Sequence, residues 1–367
     1  MDMDLDGEVQ YDFFPFIRQY KSGRVVRFGA TDTVPAGTDD DTAGGTGVTS
    51  KDVVINPSSG LWARLYLPSS LLPAAGRRQD SKLPVVVYYH GGAFVIGSTA
   101  NRPTHEYLNR LAADANVLVV SPEYRLAPEH PLPTAHDDSW EALRWVASHS
   151  TTTGEERPDP DPEPWLVEHG DLTRVFLVGV SAGGNIAHNM AERAGGGAQS
   201  LGGVPIRGLL LVHPYFTSGA PAGTEATTDT ARKAMSEAFW RYLCPGTLGP
   251  DDPLGNPFSE AAGGSAARVA AERVLVCVAE KDWLRGRGVW YYESLRGSGY
   301  GGEVELHESV GEGHVFHYGN PGCEEARKLG GPPPTTVLVS GHCSLTHQAT
   351  GTVFHSSTIA EKLAAGS

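Results

Sequence analysis

The residues Gly179-Val180-Ser181-Ala182-Gly183 set a serine between small residues, directly after the apolar run RVFLVGV and at the head of the helix-like stretch AGGNIAHNMAERA. A serine in a sharp strand-to-helix turn is held strained with its hydroxyl exposed, and the turn is so tight that a side chain at either glycine would collide with neighbouring backbone. A hydroxyl at its free pKa is a poor nucleophile. Acyl-transfer chemistry at Ser181 therefore calls for a general base within hydrogen-bond reach and a carboxylate that fixes the tautomer of that base. In such an architecture the acid and the base follow the serine along the chain, each just past a later strand. Asp282 closes VLVCVAEKD, and His314 follows VELHESVGEG, so the order is met.

Rivals exist for each role. Glu280 lies two residues before Asp282, but placement beyond the strand end favours Asp282. His317 lies three after His314, yet the turn Gly311-Glu312-Gly313 is what would aim a side chain back at the serine, which favours His314. His90, His188 and His213 read as structural histidines near the strand ends and on the helix after Ser181. Attack on a carbonyl also builds negative charge on oxygen, which preoriented donors must meet. His90-Gly91-Gly92-Ala93 follows a strand directly, and the backbone N–H groups of Gly91, Gly92 and Ala182 are the expected donors.

These residues need a scaffold, and the sequence supplies its pattern. Apolar runs at Leu83–Gly92, Asn116–Tyr124, Arg174–Ser181, Ile206–Phe216, Arg273–Asp282 and Glu303–His314 are near-continuous, not alternating, which means burial on both faces of a mostly parallel sheet. Helical stretches at Pro103–Asp114, Thr134–His149, Ala182–Ala194 and Leu284–Gly297 separate them; an α/β layer architecture follows. Upstream, Arg24–Phe28 and Ser50–Pro68 read as earlier strands, the latter an edge hairpin turning at Asn56–Gly60. Segments Pro35–Gly47, Leu71–Lys82 and Thr151–Pro164 are Gly-, Pro- and Asp-rich and read as solvated loops. Between Tyr215 and Glu260 an extra amphipathic helix carrying Phe239, Trp240 and Leu243 fits either a cap over the site or simple packing against the sheet.

The chain has 367 residues, of which 40% are apolar, and a net charge of −14. That balance argues against nucleic acid or an anionic membrane surface as partner, since either needs clustered Lys and Arg. No run of about 18 apolar residues occurs and the first residues have no secretory pattern, so a cytoplasmic protein is expected. The cysteines Cys244, Cys277, Cys323 and Cys343 form no CxxC pair, so neither a zinc site nor a disulfide framework is expected.

The segments HGGAF (90–94), SPEYRLAPEHPLPTAHDD (121–138), GVSAGGNIAH (179–188), EKDWLRGRG (280–288) and GEGHVFH (311–317) together resemble the plant carboxylesterase family, a branch of the hormone-sensitive-lipase-like α/β-hydrolases. The resemblance spans residues 11–329. It implies an α/β-hydrolase fold with a mostly parallel central sheet flanked by helices and a helical cap built from about residues 1–22 and 217–260. It further implies hydrolysis of small carboxylic esters without metal or organic cofactor, with Ser181, Asp282 and His314 as triad and Gly91, Gly92 and Ala182 as oxyanion hole. It gives YRLAPEHP a structural role near the floor of the site. Gibberellin receptors and hydroxyisoflavanone dehydratases share these features, so a non-catalytic hormone receptor and a lyase are the alternatives; the receptors lack the triad histidine, whereas His314 is present. From residue 330 the sequence GPPPTTVLVSGHCSLTHQATG departs from the family, where a final helix would continue. The expectation there is an atypical tail over 330–367, with an apolar patch left where that helix would pack.

Overall fold

Residues 83–89, LPVVVYY, are buried at every position, and a strand that hides both faces must lie inside a sheet covered on both sides. In the computed structural model, which describes residues 7–29, 32–39, 45–68, 82–150, 162–196, 201–223, 225 and 230–329, this strand is the centre of a nine-stranded sheet. In chain order the strands are β1 (Val9–Phe13), β2 (Ile17–Tyr20), β3 (Val25–Arg27), β4 (Thr38–Asp39), β5 (Val48–Asn56), β6 (Leu61–Pro68), β7 (Leu83–Tyr89), β8 (Leu118–Glu123), β9 (Gly170–Val180), β10 (Ile206–Val212), β11 (Ala271–Ala279) and β12 (Glu303–Ser309). The helices are α1 (Arg102–Ala115), α2 (Thr134–Ser148), α3 (Pro164–His169), α4 (Ala182–Gly195), α5 (Thr230–Leu243), α6 (Arg285–Gly297), α7 (Phe316–Gly319) and α8 (Glu324–Lys328).

The large sheet runs β12-β11-β10-β9-β7-β8-β6-β5-β4. From β8 to β12 its neighbours are parallel, while β6, β5 and β4 extend it antiparallel. After β7 the chain passes through α1 to β8 on one side, then returns to place β9 on the other side of β7. This reversal opens a crevice at the carboxyl ends of β7 and β9, where ligands of open α/β sheets bind. The loop His90–Gly92 and the turn at Ser181 leave those two ends. The fold thus brings together two segments ninety residues apart in sequence.

The expected edge hairpin is present as β5 and β6, and Asn56 caps its turn by accepting the N–H of Ser58 at 2.9 Å. Within the expected loop at Pro35–Gly47, Thr38 and Asp39 add a two-residue strand against β5, because the Asp39 carboxylate ties the loop back by accepting from the N–H and hydroxyl of Thr46. Most of the loops expected at 71–82 and 151–164, the first six residues and the tail over 330–367 lie outside the described residues. Cys244 and Cys277 are buried, and among the described residues no disulfide joins the cysteines. No described helix is long and apolar enough to cross a membrane.

The described residues of the two segments expected as cap form a small sheet and a helix. Residues 9–27, expected as cap and early strand, form the separate three-stranded antiparallel sheet β1-β2-β3, because alternation in VQYDF puts Tyr11 and Phe13 on one face. That face meets α5: Phe13 lies 4.9 Å from Phe239 and 5.1 Å from Tyr242 between ring centroids, and Tyr11 lies 5.1 Å from Tyr242. Trp240, fully buried on the other side of α5, packs against the body and donates its indole N–H to Thr247 Oγ1.

Candidate active site

Ser181 precedes the first residue of α4 with φ +56° and ψ −117°, a conformation that side chains rarely adopt. Neighbouring backbone holds it there. The Ser181 N–H donates to Val212 O at 2.9 Å, and Ser181 O accepts the N–H of Tyr215 at 3.0 Å, so both ends of the peptide are fastened to the chain leaving β10. Close approach explains the glycines. A Cβ on Gly179 would stand 2.0 Å from Gly183 O, and one on Gly183 would stand 2.0 Å from Tyr89 O. Strand, loop and helix therefore meet backbone to backbone, with no room for a methyl group.

His314 and Asp282 meet the serine in series. His314 Nδ1 lies 2.8 Å from Asp282 Oδ2, and His314 Nε2 lies 3.1 Å from Ser181 Oγ. Since a carboxylate only accepts, Nδ1 carries a proton toward Asp282 and Nε2 faces the serine hydroxyl. The Asp282 side chain is fully buried, and its other oxygen accepts the N–H of Leu284 at 2.8 Å. Both carboxylate oxygens thus have partners, which a buried charge requires.

The rivals take supporting positions. Glu280 Oε2 accepts the N–H of Gly311 at 2.7 Å, and the N–H of Lys281 donates to Glu312 O at 2.8 Å, so the residues before Asp282 clamp the turn before His314. His317 is buried under Tyr107 and does not reach the serine. His213, read from the sequence as structural, lies nearer the chemistry than that reading implied: its ring centroid is 5.7 Å from that of His314, and its Nδ1 accepts the N–H of Val315 at 3.0 Å. Burial pushes the His213 pKa down to about 3, so it acts as a neutral acceptor that fixes the loop carrying His314. The ligand atoms of His213, Asp282 and His314 lie within 4.8 Å of one another. A cation there would draw the imidazole of His314 away from Asp282.

The second loop closes over the serine. A Cβ on Gly91 would stand 3.3 Å from Ser181 Cβ, which places this backbone beside the nucleophile. Gly92 has φ +119°, and its carbonyl accepts the N–H groups of Val95 and Ile96, so the turn folds on itself beyond the glycines. Ala182 is the first residue of α4, where a helix leaves its N–H groups without intrahelical partners. The backbone of Gly91 and the first residue of α4 therefore flank Ser181.

SPEYRLAPEHP braces this loop from below. The Tyr124 hydroxyl donates to His90 O at 2.7 Å, its ring stacks on His90 at 4.2 Å, and the N–H of Ala127 donates to Phe94 O. Arg125 grips the buried Asp138 of α2 through two side-chain bonds of 2.9 and 2.7 Å. Arg27 of β3 donates to Val95 O at 2.6 Å and to Ala127 O at 3.0 Å, and pairs with Glu129, which links the small N-terminal sheet to the same loop. Sequence spacing alone had no means of finding Arg27, because the contact joins residues 68 positions apart.

A cavity of about 140 Å³ adjoins the series and is lined among others by Tyr215, Phe216, Trp240, Trp283, Leu284 and Arg287. Trp283 tilts toward His314 with ring centroids 5.9 Å apart. Aromatic walls of this kind can hold an acyl or alcohol group.

A family model described as alpha/beta hydrolase fold matches residues 86–318. A protein of Arabidopsis thaliana described as probable carboxylesterase 2 is 41% identical over 322 residues, covering 88% of this chain and 94% of its own. A 2-hydroxyisoflavanone dehydratase of Glycyrrhiza echinata is 42% identical over 324 residues, covering 88% and 94%. Among solved structures, a hyperthermophilic esterase from the archaeon Pyrobaculum calidifontis superposes with a TM-score of 0.56 at 30% identity, covering 76% of this chain and 81% of its own.

Proposed function

This chain belongs to the α/β-hydrolase family and is a serine ester hydrolase, and we propose that Ser181, His314 and Asp282 carry the reaction while Gly91, Gly92 and Ala182 bind the oxyanion. Ser181 Oγ attacks the ester carbonyl as His314 Nε2 takes its proton, and Asp282 stabilises the imidazolium that forms. The carbonyl oxygen, now negative, meets the three backbone N–H groups. Collapse of the tetrahedral intermediate returns the proton from His314 to the leaving alcohol and leaves an acyl-serine. Water, activated by the same imidazole, attacks that ester, and a second collapse frees the acid and restores Ser181.

The observation that carries this reading is the unbroken series of 3.1 and 2.8 Å from Ser181 through His314 to Asp282. The same series weighs against a binding-only receptor, which has no use for an aligned base. Every proton in the cycle comes from these residues or from the attacking water. Small carboxylic esters are the substrate class of this reading.

Ser181→Ala is expected to fold as the parent does, to lose at least about 10⁴-fold in kcat on p-nitrophenyl acetate, and to resist labelling by an organophosphate that modifies the parent. Turnover within about tenfold of the parent would overturn the assignment.

A further inference from the structure

We propose that Arg27 is a positioning residue of the esterase: its guanidinium, reaching out of the small N-terminal sheet, clamps the loop that carries Gly91 and Gly92 and so fixes their N–H groups where the oxyanion forms. The proposal rests on the esterase reading above and adds to it the residue that holds the oxyanion loop in place.

The loop needs a hold from outside. After Gly92 at φ +119°, Ala93 and Phe94 follow at φ +53° and +63°, a left-handed region that residues with a Cβ rarely adopt even singly. Backbone of this kind persists only where its surroundings over-determine it. Within the loop, Gly92 O accepts the N–H groups of Val95 at 3.0 Å and Ile96 at 2.9 Å, and Phe94 O accepts the N–H of Ala127 at 2.9 Å. The carbonyls of Val95 and Ala127 are the next links on the two sides, and Arg27 takes both. Its Nε donates to Val95 O at 2.6 Å and its Nη2 to Ala127 O at 3.0 Å.

The guanidinium is itself fixed. Nη1 donates to Glu129 Oε1 at 3.1 Å and Nη2 pairs with Glu129 Oε2, so one edge of the planar fork lies on the carboxylate and the adjoining edge on the two carbonyls. The chain leaving β3 stays against the same loop: a Cβ on Gly29 would stand 2.6 Å from Ile96 Cδ1. Loss of the Arg27 head group frees Val95 O, and Val95 carries Gly92 with it through the bond to Gly92 O.

Magnitudes separate a strut from a positioning residue. The side chains of Arg27 and Glu129 are 29% and 51% exposed, and an ion pair that open adds little to stability. Loss of one oxyanion donor, by contrast, lowers kcat on the order of 10²- to 10³-fold. Release of the clamp is therefore felt in the chemistry before it is felt in folding.

The test compares kcat/KM for p-nitrophenyl acetate with that for its thionoester, in which sulfur replaces the carbonyl oxygen, on the full chain. Sulfur is larger and a weaker acceptor, so well-aimed donors favour the oxygen ester, and a ratio within one protein is insensitive to how much of the sample folds. In the parent the preference for oxygen far exceeds that of hydroxide in solution. Arg27→Met keeps the stem of the side chain and is expected to lower the ratio about tenfold, through kcat on acetate, with KM within about threefold of the parent. Glu129→Gln, a change at an exposed residue, loosens the fork and lowers the ratio about fivefold, which keeps the proposal testable if Arg27→Met does not fold. Arg18→Met removes another arginine of the same small sheet, one whose partner is Asp12, and leaves the ratio unchanged. Ratios within about twofold of the parent in every Arg27 and Glu129 variant that turns over, or an equal fall in Arg18→Met, would overturn the proposal. Failure of the esterase reading is a separate result seen in the parent alone: no turnover and no organophosphate labelling of Ser181, or turnover with no more preference for oxygen than hydroxide shows.

Discussion

The body around Ser181 and the unit that β1–β3 form with α5, called the cap here, are held by different contacts. At the elbow, backbone meets backbone: Gly179 approaches Gly183 and Gly183 approaches Tyr89 so closely that a methyl group would stand 2.0 Å from a carbonyl oxygen. In the cap, β1 and α5 meet through the rings of Tyr11, Phe13, Phe239 and Tyr242 at about 5 Å between centroids. Backbone contacts of the first kind leave one geometry and no substitutes. Ring contacts of the second kind tolerate repacking. Chemistry that requires a 3.1 Å hydrogen bond between Ser181 and His314 sits on the first kind, while α5, held by the second, lines the cavity with Trp240.

The largest expected difference between the regions is their response to acid. Burial lowers the pKa of His90, and takes those of His136 to about 4 and of His188, His213 and His317 to about 3. All five belong to the body, and residues 9–27 and α5 contain no histidine. Each folded pKa lies below the unfolded value near 6.5, so the unfolded chain binds more protons in that interval. The stability these groups confer is complete above pH about 6.5 and is lost as pH falls, by up to about 1.4 kcal/mol per pH unit for each. Asp114, raised to about 6 by burial, works the other way as a single group. Denaturant midpoints followed by circular dichroism are expected to fall steeply between pH 6 and 4. Midpoints unchanged from pH 7 to pH 5 would mean that these histidines are hydrated in the folded protein.

Gly183→Ala comes next. The added carbon would meet Tyr89 O at 2.0 Å and His90 O at 2.6 Å, and neither atom belongs to a side chain that can swing away. Destabilisation of more than about 3 kcal/mol is expected, with little soluble folded protein. A variant that melts within a degree or two of the parent would show that the elbow can open and that the comparison above is wrong.

The same distinction explains what could be read from sequence. Buried parallel strands announce themselves as continuous apolar runs, and the glycines beside Ser181 and at Gly91 are demanded by backbone approach, so the fold and the order Ser181, Asp282, His314 were legible. Glu280 and Asp282 both lie past the end of β11 at Ala279, so strand-end placement favoured Asp282 without separating them; their partners, Gly311 and His314, do. The role of His213 was not legible, because its partner is the backbone of Val315 and any residue type there has an N–H. Arg27 and the β1–α5 contact were not legible either: one is a side chain reaching carbonyls, the other a set of ring contacts that many aromatic sequences could make.

Phe13→Ala probes the cap's own contacts. Phe13 is 7% exposed between Phe239 and Tyr242, and removing its ring is expected to cost about 2–3 kcal/mol, less than a body-core phenylalanine because the cap can settle into the gap. A thermal melt reads the loss. A larger KM for long acyl esters is expected to accompany it, since α5 carries Trp240 into the cavity wall. Loss of kcat on acetate esters by more than about tenfold would mean that the cap also positions the triad.

Trp283→Ala is expected to have the smallest effect on stability and the cleanest effect on selectivity. Trp283 directly follows Asp282, yet it is 53% exposed and lines the cavity while the carboxylate beside it is fully buried. Removing an indole that is half in water opens no hole in the core, so the change in stability stays within about 0.5 kcal/mol. The face turned to the cavity and to His314 is lost to the substrate, and at roughly 25 cal/mol per Å² of apolar contact a long acyl chain loses several-fold in kcat/KM while an acetyl group loses less. Neighbours in sequence would then divide as the two regions do, Asp282 held by the body and Trp283 left to the ligand. A drop in melting temperature as large as that of Phe13→Ala would instead make Trp283 a strut of the turn that orients Asp282.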